Sequence, residues 1–372
     1  MRLVYFSPVP WASFSQRAHK FVEWLHTKRD GEVLWIDPYP TRLPMLEDFQ
    51  RLKPKGINNT RLTTNGNKPA WLTVLRPRAL PIEPLFGVGM LNRLLWNEVL
   101  QTIDAFLEEG ECLLSIGKPS ELAELVLSQH PTIPSHYDAM DDFPAFYRGM
   151  SRTAMKKREC EIASRVSLIL ASSTALADRF AKYSSNVVLV FNACAVENLP
   201  PINNLFVKES GTPILGYVGT IGHWFDWPLV FELAESNPSM CIRLIGPIYA
   251  MPPAPLPRNI ELLPPIDHAT AIRAMQEFSV GLIPFKRTEL TASVDPIKYY
   301  EYRAMGLPVI SSRFGEMARR EGQTGVFLVD ADSNLSILVR TAMSCETDII
   351  EIQEFRTANS WETRFGTAGI LP

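Results

Sequence analysis

The chain has 372 residues, 46% of them hydrophobic and 21% charged, with a formal net charge of -3 at pH 7. That is the composition of a globular protein, it excludes a disordered or fibrous one, and the length predicts two domains. The slightly acidic balance gives no reason to expect nucleic acid as a partner. Five scattered cysteines (Cys112, Cys160, Cys194, Cys241, Cys345) with no CxxC pair argue against a disulfide framework or a zinc site and for a reducing, cytoplasmic compartment.

The first half alternates strand-like and helical runs. "RLVYFS" opens as a strand, with an apolar run too short for a signal peptide. A helix over "SQRAHKFVEWLHTK" and the strand "EVLWIDP" follow. Residues 40–80, rich in Pro, Arg, Lys and Asn, read as long loops. Residues 85–107 form the most apolar stretch, but Asn92, Arg93, Asn97, Glu98 and Asp104 interrupt it. It predicts one amphipathic helix, packed into the core in preference to lying on a membrane surface, and nothing else approaches a bilayer span. Then come the strand "ECLLSIG", a helix around "SELAELVLSQ", the strand "IPSHYDA", the helix "SRTAMKKRECEIASRV", and the strands "LILASS" and "VVLVFNA".

Residues 197–212 hold turn-formers without a clear period and read as a linker. The alternation then restarts: "PILGYVG", a helix near "WPLVFELAES", "CIRLIGP", "IELLPP", the helix "HATAIRAMQEF", "VGLIPF", a short helix in "DPIKYYEYRAMG", "PVISS", "VFLVD" and a helix from Ser333. This rhythm predicts an α/β chain with two Rossmann-like, doubly wound parallel sheets. The expected division is 1–196, a linker over 197–212, a second domain over 213–345, and a helical segment over 346–372 that packs back across the junction. Ligands of such sheets sit beyond the carboxyl ends of the strands, here in the cleft that the two sheets would face.

Two stretches of the second half suit an anionic ligand. In "GYVGTIGHW", Gly216, Gly219 and Gly222 follow a strand directly, where glycines let backbone amides approach a phosphate. Tight packing of strand against helix explains the same glycines, and the spacing is not the dinucleotide fingerprint. In "DPIKYYEYRAMGLP", Asp295 is expected to cap the helix, Pro296 to begin it, and Gly306 with Pro308 to end it. Lys298 then adds a full charge to the positive helix end, with Glu301 on the same face. An ordinary i,i+3 ion pair is the plainer reading of those two residues.

From "GYVGTIGHWFDWPLVFELAE" through "LIGP", "NIELLPPIDHATAIRAMQEF" and "DPIKYYEYRAMGLPVISS" to "NSWETRF", the second half resembles bacterial polysaccharide glycosyltransferases of the GT-B fold. The teichuronic acid and xanthan side-chain enzymes are the nearest in pattern. The resemblance covers most of residues 213–365 and is patchy before them. It implies that Lys298 meets the diphosphate of a nucleotide sugar and Glu301 its ribose. The loop Gly219, Thr220, Ile221, Gly222, His223 would face the donor phosphates or the acceptor, and Pro265 and Ile266 the nucleobase.

In "HYDAMDDF" the resemblance makes Asp141 the base that deprotonates the acceptor hydroxyl, with Asp138 and Asp142 as rivals and helix capping as the plainer reading. His136 reads as structural. On the rim of the first strand, Ser13 and Arg17 (with Ser15 and Gln16) would meet the acceptor, although a solvated helix charge is the preferred reading of Arg17. His223, Trp224, Asp226 and Trp227 suit a sugar face or a buried helix start. The "DAD" of Asp330 and Asp332 is read as helix capping and not as the metal motif of a GT-A enzyme. Many retaining relatives carry a second glutamate where this chain has Ser293, a departure that counts against retention.

The reading is therefore a metal-independent, cytoplasmic glycosyltransferase without cofactor. It would move a sugar from a nucleotide diphosphate, UDP first, to a saccharide or lipid-linked saccharide in surface polysaccharide assembly, with peripheral contact at the inner membrane face as an option. The alternatives are a non-hydrolysing nucleotide-sugar epimerase and a catalytically silent nucleotide-sugar-binding subunit.

Overall fold

A computed structural model describes residues 1–13, 17–43, 68–85, 89–202 and 211–371. The expectations for Ser15, Gln16, most of the 40–80 loops and residues 203–210 of the linker lie outside the described residues. The chain divides into two compact units, Met1–Val190 with Phe365–Pro372, and Phe191–Arg364. The change of unit therefore falls at 190/191 and not near 196. Residues Val196, Leu199 and Ile202, expected in part as linker, pack against the core of the second unit.

The first unit holds β1 (Arg2–Phe6), α1 (Arg17–Arg29), β2 (Val33–Ile36), β3 (Leu72–Leu75), α2 (Gly89–Leu95), α3 (Asn97–Glu108), β4 (Cys112–Ile116), α4 (Glu121–Gln129), β5 (Ser135–Ala139), α5 (Gly149–Ala163), β6 (Leu168–Ala171), α6 (Thr174–Phe180) and β7 (Val187–Leu189). Its sheet runs β3-β2-β1-β4-β5-β6-β7, with each pairing parallel. Successive side chains of a strand point to opposite faces. Val4 and Phe6 accordingly join a core with Leu114, Ile116 and Tyr137, while Tyr5 meets Phe21 of α1 and stacks on Trp35. Helices thus cover both faces.

Two expectations change here. The 40–80 region contains a strand, β3, because "LTVL" pairs in register with "VLWI" of β2. The single helix expected over 85–107 is two, α2 and α3, meeting at Trp96, whose indole is fully buried against Tyr39. Burying that ring outweighs a continuous helix, and it leaves Leu91, Leu94 and Leu95 of α2 exposed.

The second unit holds β8 (Ile214–Val218), α7 (Trp227–Ser236), β9 (Cys241–Ile245), β10 (Ile260–Leu263), α8 (His268–Gln276), β11 (Val280–Ile283), α9 (Ile297–Ala304), β12 (Val309–Ser312), α10 (Gly315–Ala318), β13 (Val326–Val329), α11 (Leu335–Met343), α12 (Ile349–Ala358) and the start of α13 (Trp361–Gly366), whose last two residues belong to the first unit. The sheet order is β10-β9-β8-β11-β12-β13, again with parallel pairings. One face packs on α8 and α9 through Met275, Tyr299 and Tyr302. The other packs on α7 and α11 through Leu229, Leu233 and Val339.

Helix α9 is fixed by a close approach. A Cβ on Gly281 of β11 would lie 2.3 Å from the Tyr302 ring, so only glycine lets that ring rest on the strand. The Val218 amide at the end of β8 also donates to Tyr302 Oη at 3.1 Å. The turn after α9 needs the left-handed conformation of Gly306, φ +73°.

Candidate active site

Lys298 and Glu301 lie on one face of α9, at the carboxyl-end edge of the second sheet. Lys298 Nζ donates to Glu301 Oε2 at 2.7 Å, and His268 Nε2 lies 3.3 Å from Oε1. Glu301 is buried at 8% side-chain exposure, whereas Lys298 and His268 are 23% and 48% exposed. Burial raises the Glu301 pKa, but Lys298 and the His268 hydrogen bond outweigh it and bring the carboxyl down to about 2. Glu301 is therefore a permanent carboxylate whose two partners come from different elements. His268, at the start of α8, belongs to the site and was missed in the sequence. The signal was there in "PPIDHA", where Asp267 caps α8 by accepting from Thr270 N at 3.0 Å and so makes His268 the first residue of that helix.

The glycine loop joins the same cluster. A Cβ on Gly219 would sit 2.9 Å from Tyr217 Oη and 3.5 Å from Lys298 Cε, so the lysine stem crosses directly over this glycine. Behind it, a Cβ on Gly246 would meet the Gly219 carbonyl oxygen at 2.1 Å, which makes the glycine of "LIGP" a second necessary part of the loop. The Thr220 carbonyl accepts from Tyr217 Oη at 2.8 Å. Gly222 lies beneath the Trp224 ring, and His223 is exposed. Asp226 and Trp227 fall to the structural reading, since Asp226 accepts from Leu229 N at 3.3 Å to cap α7 and Trp227 is buried. Pro265 and Ile266 form the loop between β10 and α8, two residues from His268.

The expected Asp295 cap is not made. The residue before α9 is Pro296, with no side-chain cap. Asp295 instead accepts from the Asn192 amide (2.7 Å), Tyr300 Oη (2.9 Å) and Arg320 (2.5 Å). A buried carboxylate gains more from a guanidinium and a phenol than from two solvent-facing amides. Ser293, in place of the glutamate of retaining relatives, is buried with its hydroxyl unpartnered. Asp330 and Asp332 do not cap α11 either; Asn334 does, by accepting from Ile337 N, and Asp330 pairs with Arg313. Among the described residues, no three His, Cys, Asp or Glu side chains gather as metal ligands.

In the first unit, the acids after β5 separate clearly. Asp138 is fully buried and accepts from Arg17 Nε at 2.9 Å. Asp142 accepts from Arg179 at 2.7 Å and makes no cap hydrogen bond. The carboxylate of Asp141, half-buried between them, accepts no hydrogen bond from a described residue. Burial pushes its carboxyl up to about 7, with Asp138 and Asp142 adding to the shift and Arg17 opposing it. Arg17 is not a solvated helix charge: it is 2% exposed and also donates to the Val190 carbonyl at 2.7 Å. Ser13 is half-buried, its amide donating to the Pro10 carbonyl at 2.9 Å. His136 is structural, its Nε2 on Ser115 Oγ at 2.7 Å and its pKa lowered to about 3 by burial and by Arg17.

Two parallel, doubly wound units make up the GT-B fold. No family profile matches the chain. A protein named as a teichuronic acid biosynthesis glycosyltransferase, TuaH of Bacillus subtilis, is 22% identical over 207 residues, which span 50% of this chain and 52% of that protein. Among solved structures, the sucrose-phosphate synthase of Thermosynechococcus elongatus superposes with a TM-score of 0.61 at 14% identity, covering 100% of this chain and 93% of the other. The lipopolysaccharide outer core galactosyltransferase WaaB gives 0.60 at 10%, covering 99% of each. The Escherichia coli trehalose-6-phosphate protein bound with UDP-2-fluoro glucose gives 0.60 at 12%, covering 100% of each.

Proposed function

We propose that the protein is a glycosyltransferase that uses a nucleotide diphosphate sugar, UDP-linked first, and a saccharide or lipid-linked saccharide acceptor in surface polysaccharide assembly. The observation that carries this reading is the convergence of Lys298, Glu301, His268 and the Gly219 loop at one end of the second sheet. In this reading the diphosphate lies along the Gly219 loop and the amino end of α9. Lys298 turns from Glu301 to the phosphates, and the freed carboxylate accepts from the ribose hydroxyls. Pro265 and Ile266 lie against the base.

The acceptor hydroxyl attacks the anomeric carbon, the bond from that carbon to the phosphate oxygen breaks, and Asp141 takes the hydroxyl proton. Lys298 and helix amides stabilise the charge that develops on the leaving diphosphate, so turnover should survive chelation of divalent metals. The TuaH likeness and a fold held in common with sugar-transferring enzymes support the same reading. The exposed Leu91, Leu94 and Leu95 of α2, beside the exposed Arg93, support work at a membrane surface on a lipid-linked acceptor. No described helix is long and apolar enough to cross a membrane.

The test is donor binding. A thermal-shift series against UDP-, GDP-, dTDP- and ADP-sugars should find one class that raises the midpoint, since a ligand of the folded state stabilises it by mass action. Lys298→Ala should weaken that nucleotide by about tenfold or more, the worth of a charge-assisted hydrogen bond. Unchanged affinity would overturn the assignment.

A further inference from the structure

The first unit has a small recess, of about 10 Å³, beyond the carboxyl ends of β1, β2 and β4, lined by Ser7, Asp37, Tyr39, Thr41, Lys118 and Ser120 among others. Strands β1 and β4 are neighbours in the sheet but not in sequence, with β2 on the other side of β1. Such a reversal of strand order opens a crevice where α/β sheets take ligands.

The cation at this recess is poorly satisfied. The Lys118 ammonium has three donors, and among the described residues it has one long contact, 3.4 Å to the Tyr39 carbonyl. Burial lowers its pKa to about 8; the Glu83 charge opposes this and the Arg42 charge adds to it.

The nearby acids are largely committed elsewhere. Glu83 pairs with Arg158 at 2.9 Å and accepts from the Glu121 amide, both on Oε1, while its Oε2 has no hydrogen-bond partner among the described residues. Asp37 accepts from the Trp11 amide at 2.9 Å, from Trp35 Nε1 at 3.0 Å and from Arg76 at 3.2 Å. The amino end of α4 adds nothing, because Ala123 N bonds to Ser120 Oγ and Leu122 N to Tyr39 Oη. A desolvated ammonium beside a second cation is costly unless an anion joins it.

We propose that this recess binds an oxygen of an acidic group of the acceptor, a carboxylate or a phosphoryl group, with Lys118 as the main contact, Thr41 and Ser120 beside it and the Arg42 charge adding to the attraction. The proposal rests on the acceptor role of the first unit and deepens it: the acceptor is an acidic or phosphorylated saccharide. At about 10 Å³ the recess has room for about one water-sized group, so it takes a single oxygen of the acidic group and not a sugar ring.

The experiment follows thermal unfolding of the full chain with sodium glucuronate or inorganic phosphate, each against sodium chloride at equal ionic strength. At least one anion should raise the midpoint beyond chloride. Lys118→Met should remove that increment, and Arg42→Gln should weaken the apparent affinity severalfold. A response to glucuronate alone assigns the recess to a carboxylate, and a response to phosphate alone to a phosphoryl group. No response beyond chloride, or an increment that persists in Lys118→Met, overturns the proposal. Should Lys118→Met fail to fold, Arg42→Gln decides, and undiminished affinity there overturns it. UDP is measured in the same series: an anion response without a UDP response counts against the donor assignment and leaves the recess standing.

Discussion

Asp141 stands apart from its neighbours because it lacks what they have, a guanidinium within hydrogen-bond reach. A general base works best when its pKa lies near the operating pH, and a carboxyl raised to about 7 meets that condition. The base must be ionised, so kcat/KM should rise with pH below about 7 and level off above it. Asp141→Asn should abolish that limb and lower kcat by about 10²- to 10⁴-fold, the usual worth of such a group, while donor affinity stays unchanged. A retained limb would reassign the base.

His268 offers a sharper test of the donor site. It holds Glu301 Oε1 while Lys298 holds Oε2, and in the proposed donor complex it would orient the carboxylate toward the ribose. His268→Ala should erode the preference for UDP over 2′-deoxy-UDP, a hydrogen bond to a charged group worth about 1.5–3 kcal/mol. Selectivity for UDP over UMP should persist, and an unchanged ribose preference would dismiss the role.

At the scale of elements, α9 is held from both ends by groups that never touch the ligand. Asp295 joins its start to Asn192, Tyr300 and Arg320. Asp295→Ala leaves the Arg320 guanidinium buried without its counterion, a loss of about 3–5 kcal/mol, measurable by urea unfolding of the second unit. Gly281→Ala drives a methyl into the Tyr302 ring, and overpacking of this kind costs about 1–3 kcal/mol. Because Tyr302 anchors α9, this variant should weaken UDP binding as well, without altering any residue of the site.

The parallel strands were legible in the sequence because each is a short apolar run bounded by turn residues, as "PILGYVG" and "VGLIPF" are. The end of α9 at Gly306 was legible for a similar reason, since a left-handed residue after a helix calls for glycine. Asp295 was misread because capping is a local rule, and its real partners, Asn192 and Arg320, are distant in sequence. The break at Trp96 escaped notice because periodicity describes one helix face and says nothing of a single ring that must be buried. His268 went unassigned for the same reason as Asp295: its partner lies 33 positions away.

At the scale of the molecule, the two units should respond differently to pH. Burial raises the carboxyls of Glu83, Asp141 and Glu159 in the first unit to about 7 each. The folded state therefore holds protons that the unfolded chain has already released. Their stabilising contribution is complete below the ordinary carboxylate range and is lost as pH rises through 7. His136, lowered to about 3, and His19, also lowered by burial, act in the opposite sense, but they are two groups against three. The midpoint of the first unit should fall between pH 6 and pH 8. Glu301 of the second unit, lowered to about 2, contributes fully above the ordinary range and loses its share only as pH falls toward 2. Calorimetry with and without UDP should resolve the two transitions, with UDP moving only the second; a pH-independent first transition would contradict the assignment of these carboxyls.

Phe365 belongs to the first unit, where its ring meets Phe21 at 5.3 Å and Trp24 at 5.6 Å. Every residue of the second unit is therefore translated before the aromatic layer over α1 can be completed. A nascent chain halted near position 190 would carry Phe21 and Trp24 uncovered, a surface that invites chaperones and self-association. Expression of the first sheet alone should consequently yield sticky, aggregating material, and supplying the last turn of the chain in trans would be the natural remedy.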